Sequence, residues 1–148
     1  MSTPARGPRP SRRPLLIALV ISLIGAAAIV FLPIGWPLNR FIVWLYYAGR
    51  GIGIPSFVTI EAYDTGLNIL LFAVPVALAA TVWPRARWWL WALIALIASA
   101  AVELVQLAAL PRDASVADVL VNTLGAVLGA GAAGLLRAWI GSSARRSR

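Results

Sequence analysis

Few residues in this 148-residue chain can do chemistry. It has five carboxylates, thirteen basic residues that are all arginine, and no histidine, cysteine or lysine. Without histidine there is no Ser-His-Asp triad, and without histidine or cysteine the usual zinc, haem and iron–sulfur ligands are missing. No metal and no cofactor is expected. What remains is a set of polar side chains at regular spacing. Ser99, Glu103 and Gln106 share one stripe of an otherwise apolar stretch, because steps of three and four residues return to the same helical face. Asp118 and Asn122 are four apart, as are Asp64 and Asn68. A carboxylate in an apolar stretch invites acid–base work or the binding of a polar group, since a charge at the centre of a bilayer costs about 2.5–3.5 kcal/mol on insertion scales.

The elements that must carry these residues follow from composition. The chain is 61% hydrophobic and only 12% charged, with mean hydropathy +0.86, far drier than the roughly 25% charged residues of soluble domains. It reads as an all-α integral membrane protein. Residues 1–14 form a basic tail rich in Pro, Arg and Ser, expected to be disordered. Leu15–Leu32 is the first span. A signal peptide is the competing reading, but the apolar run exceeds the usual core of about 7–15 residues and has no small-residue cleavage site. Further spans are expected at Gly66–Trp83, Trp88–Leu110 and Ala117–Ile140, within a transmembrane domain over 15–140 and before a basic tail at 141–148. Phe41–Ala48 is too short to span; it reads as an interfacial or re-entrant helix with Trp36, Trp44, Tyr46 and Tyr47 at headgroup level, a fifth span being the alternative.

Ten arginines (6, 9, 12, 13, 85, 87, 137, 145, 146 and 148) fall on one side, whereas Arg40, Arg50 and Arg112 share the other with the acids outside the third span. The positive-inside rule then places both termini in the cytoplasm, with four spans between them. The basic tails act as orientation signals and anionic-lipid anchors, not as a nucleic-acid surface. Ser115 is placed to N-cap the last span, with Asp118 as the acid of a capping box. Gly125, Gly129 and Ala133 continue the Asn122 face as a close-packing surface, within one subunit or between two. Pro75 frees the Leu71 carbonyl and is expected to kink the second span. The polar residues cluster at the outward ends of the last three spans, which predicts a pocket open to the outside. Arg112, with Arg40 or Arg50, is available to neutralise Glu103 and Asp118.

Asn68-Ile-Leu-Leu-Phe-Ala-Val-Pro75, Glu103-Leu-Val-Gln106 and Arg112-Asp-Ala-Ser115-Val-Ala-Asp118-Val-Leu-Val-Asn122-Thr-Leu-Gly125, in this order, resemble the VanZ-like family over about residues 61–137. The family often follows its proline with a bulky residue and glycine, where this chain has Val76-Ala77. The resemblance implies a small multi-pass protein of the bacterial inner membrane, linked through the founding member to teicoplanin resistance, with no settled reaction.

Three functional readings follow. In the first, Asn68, Glu103, Gln106, Arg112, Asp118 and Asn122 bind an anionic lipid headgroup, a lipid-linked cell-wall precursor or a lipoglycopeptide. Arg112 takes the phosphate or carboxylate in a bidentate contact, and the groove beside Pro75 holds the tail. In the second, an intramembrane enzyme uses Glu103 as general acid or base. The third is a small proton-coupled transporter. Against these stands a structural role, in which the polar residues are interhelical hydrogen bonds worth about 0.6 kcal/mol each. Binding is the favoured reading, and the partners expected are membrane lipids.

Overall fold

A computed structural model describes residues 12–32, 34–109 and 115–146. Five helices follow one another: α1 Arg13–Phe31, α2 Gly35–Gly51, α3 Ile60–Val82, α4 Trp88–Ala109 and α5 Val116–Arg146. There is no strand among the described residues. α1, α3, α4 and α5 are long and apolar enough to cross a membrane; α2 is not among these. The four spans expected from sequence match these four helices, with shifted ends. α1 starts at Arg13 with Pro14 in its first turn, a position where a missing N–H costs nothing, so the helix takes in the end of the expected basic tail. Residues 1–11 of that tail lie outside the described residues. α5 continues past Ile140 to Arg146, so the second tail is helical as far as it is described.

α3 begins at Ile60, six residues before the expected Gly66. Thr59 Oγ1 accepts the Ala62 N–H at 3.4 Å, and Glu61 sits in the first turn, where an acid suits the positive end of the helix dipole. The helix runs unbroken through Pro75, which is buried. The largest departure is α2, a 17-residue helix where only Phe41–Ala48 was expected. Pro37 falls in its first turn, whose N–H groups need no intrahelical partner, so it does not stop the helix. Arg40 and Arg50 lie within it, on exposed positions. The helix ends where Gly53 adopts φ +95°, a left-handed conformation that glycine takes without steric cost.

α3 is the centre: it packs against each of the other four helices, most extensively against α5. The α3–α5 contact is made by glycine. A Cβ on Gly125 would run into the Ile69 carbonyl, and one on Gly129 into the Ala73 carbonyl. Farther along, Arg137 Nη1 donates to the Ala80 carbonyl at 2.6 Å. Residues 69, 73 and 80 thus face 125, 129 and 137, a nearly constant offset, so α3 and α5 run parallel along their whole contact. Ala126, Ala130 and Ala133 are buried in the same region. The small-residue face therefore packs within the subunit, as one of the two expected options. α4 returns antiparallel beside α5, and Trp83 meets Trp91 at the α3–α4 turn with ring centroids 6.3 Å apart. α2 lies on α3, where a Cβ on Gly49 would strike the Tyr63 hydroxyl and Tyr46 meets Tyr63 edge-on at 6.0 Å.

Because backbone carbonyls cannot yield as a flexible side chain can, Gly129→Leu should destabilise the protein by about 1–3 kcal/mol or more. Gly131→Leu, two residues on with open space around it, should be neutral. Thermal unfolding in detergent separates the two.

Candidate functional site

Two different jobs are shared among the polar residues at one end of the bundle. The first is to satisfy backbone. Helix ends leave orphan N–H and C=O groups, and burying one unpaired costs about 1–3 kcal/mol. Glu103 is buried, and its Oε2 accepts the Ser115 N–H at 2.8 Å. Ser115 Oγ in turn accepts the Asp118 N–H at 3.3 Å. The N-cap expected at Ser115 is present, but the reciprocal half of the box differs from expectation. The N-cap N–H that Asp118 was expected to take is held by Glu103, reaching across from α4 and leaving the Asp118 carboxylate for other work. Gln106 Nε2 donates to the Val30 carbonyl at 3.4 Å, an orphan acceptor in the last turn of α1. Asn122 Nδ2 donates to Ser99 Oγ at 2.9 Å, joining α4 to α5 between two buried side chains. Its Oδ1 is buried without a partner.

The second job is to line a cavity. Asp64 and Asn68 from α3, Glu103 and Gln106 from α4, and Asp118 from α5 surround a pocket of about 60 Å³, closed by Ile29, Val30 and Leu38. Four of the six expected binding residues are brought together here. Asn122 is not in the lining; it is held by Ser99. Arg112 lies outside the described residues, with the rest of 110–114. Asp64 was not singled out as a ligand, although its four-residue step to Asn68 puts both on one face. Arg40 and Arg50 have other partners than the acids: the Arg40 guanidinium lies 4.7 Å from the centre of the Trp36 ring, and Arg50 Nη1 donates to the Ile54 carbonyl at 2.8 Å.

The pocket is too small for a headgroup and large enough for a few waters or one polar substituent, but it does not stand alone. Outward it shares Ile29, Leu38 and Asp64 with a half-polar cleft of about 320 Å³, whose wall includes Asn39 and Glu61. Inward it shares Val30, Leu71 and Val102 with an apolar crevice of about 420 Å³ between α1, α3 and α4, which runs past Pro75 to Trp83 and Trp91. Among the described residues no group of acids is arranged to hold a metal ion.

Glu103→Ala removes the acceptor from the start of α5 and should cost about 1–3 kcal/mol, the penalty for leaving a buried donor without a partner. Glu103→Gln keeps an acceptor in place and should recover most of that loss. Unfolding of both variants in detergent checks the difference.

A family model described as VanZ/LLP1 matches residues 17–137. The match takes in α1 and α2 as well as the polar stripes of α3, α4 and α5, and so reaches well beyond the three motifs at 61–137. No curated protein and no solved structure matches the chain. With most of its length covered by that model, the chain belongs to the VanZ/LLP1 family.

Proposed function

We propose that this protein is a multi-pass protein of the bacterial inner membrane that binds an amphiphile from the outer leaflet. The single observation that carries this reading is the adjacency of three spaces of different polarity. A half-polar cleft, a small polar pocket and a long apolar crevice share walls in that order, which is the sequence of polarity along a lipid from headgroup to tail. The headgroup lies in the cleft and sends one polar substituent to Asp64, Asn68, Glu103, Gln106 and Asp118, while an acyl or prenyl chain follows the crevice beside Pro75. Arg112, close in sequence to Ser115 and Asp118, takes the phosphate or carboxylate. Asn122 holds α5 to α4 behind the pocket.

The arginine distribution supports both termini in the cytoplasm, which turns the polar end outward. α2 then lies at the outer interface with Trp36, Trp44 and Tyr47 exposed. A ligand of this kind, whether anionic lipid, lipid-linked cell-wall precursor or lipoglycopeptide, is consistent with the family's association with teicoplanin resistance. Glu103 is engaged at the start of α5, which favours binding over turnover.

Leu71 borders both the polar pocket and the apolar crevice. Leu71→Trp should therefore block the junction and lower lipid retained through purification by about tenfold or more, the loss of roughly one well-buried side chain's worth of apolar contact. Leu104→Trp, on an exposed α4 position, should leave retention unchanged. Arg112→Ala should selectively lose species with a phosphate or carboxylate. Native mass spectrometry of the detergent-purified protein reads all three, and a wild-type protein that retains no lipid contradicts the proposal.

A further inference from the structure

We infer that the exposed face of α2 is a second part of the headgroup site, and that it recognises a ring-bearing headgroup, a sugar or cyclitol attached through a phosphate. The inference rests on the amphiphile reading above, since the tail brings the headgroup to this face. Trp36, Arg40 and Trp44 are spaced by four residues and lie along one side of the helix, with Asn39 and Val43 between them. These five residues line a shallow cleft of about 380 Å³. Both indoles are largely exposed, Trp36 by 71% and Trp44 by 62%.

An interfacial belt would account for exposed tryptophans by themselves. The guanidinium and the amide set between them add a charge and a hydrogen-bonding group to that face. Arg40 is stacked over Trp36, with its Cζ 4.7 Å from the ring centre, and Trp44 is stacked against Phe41 at 5.9 Å. The contact holds the guanidinium against the indole, and a guanidinium held there can still offer a fork of N–H donors to a phosphate. Indole faces carry the negative side of the ring quadrupole and suit the polarised C–H face of a saturated ring that carries hydroxyls. Asn39 is the shared wall between this cleft and the half-polar cleft lined by Glu61 and Asp64. One headgroup can therefore lay its ring against the indoles and its phosphate on Arg40, with its hydroxyls toward Asn39 and the acids.

Phosphatidylinositol and phosphatidylglycerol separate ring recognition from charge, because both carry one phosphodiester and two acyl chains and differ in the inositol ring. In competition for the full-length protein, read by native mass spectrometry, phosphatidylinositol should be retained about threefold to tenfold better, the worth of one aromatic contact. Trp36→Ala/Trp44→Ala should reduce that preference to about one, and Trp36→Phe/Trp44→Phe should restore part of it. Arg40→Gln should weaken retention of both lipids. Equal retention of the two by the wild type, or a preference that survives loss of both indoles, overturns the inference and leaves the inner pocket's proposal standing. Retention of neither lipid also overturns the inference, whereas the amphiphile reading falls only if the wild type retains no lipid of any kind. The positions are exposed, so unchanged helical circular dichroism in each variant separates lost recognition from lost folding.

Discussion

The architecture depends on how closely α3 and α5 approach. Only at two glycines can the backbone of one helix lie on the carbonyls of another, and Gly125 and Gly129 meet Ile69 and Ala73 in that way. Between helices that offer lipid no less apolar contact than each other, close van der Waals packing is a main source of association. Once this parallel register is set, the other polar contacts fall into place. Arg137 arrives at the Ala80 carbonyl, at the negative end of α3 where a cation is favoured. At the other end Asp118 arrives beside Asp64 and Asn68. α4, antiparallel to α5, then brings Ser99 to Asn122 and Glu103 to Ser115.

The second constraint is that helix ends in apolar surroundings cannot leave backbone groups unpaired. Three side chains meet it by reaching across to another helix: Glu103 to the start of α5, Gln106 to the end of α1, and Arg137 to the end of α3. Part of what a reader of the sequence would assign to a ligand is therefore committed to the scaffold. The remainder is Asp64, Asn68, the Asp118 carboxylate and whatever of Glu103 and Gln106 still faces the cavity. The site is small because much of its polar chemistry is already used to build its walls.

The large features were legible in the sequence because they follow from periodicity. Long apolar runs gave the four candidate spans, four-residue steps gave the faces carrying Asp64, Asn68, Asp118 and Asn122, and two glycines four apart gave a packing surface. What could not be read were choices between partners of equal chemistry. Either Glu103 or Asp118 can accept the Ser115 N–H, and only the placement of α4 decides for Glu103. Asn122 lies on the pocket-bearing helix at the right spacing, yet Ser99 is nearer than the cavity. α2 is longer than its apolar run, Phe41–Ala48, because the arginines that bracket that run sit on exposed faces of the helix and Pro37 falls in its first turn, both compatible with a helix. The cleft along α2 was not legible either, since a row of tryptophans in sequence reads first as an interfacial belt.

The functional account turns on a polar cavity accessible from outside the cell. As the chain has no cysteine, single-cysteine labelling needs no background substitutions. In intact cells, Asp64→Cys should react with a membrane-impermeant maleimide, while Arg85→Cys, exposed in the turn that follows the opposite end of α3, should react only after the membrane is permeabilised. The reverse pattern, or no reaction at position 64 from either side, would contradict the account.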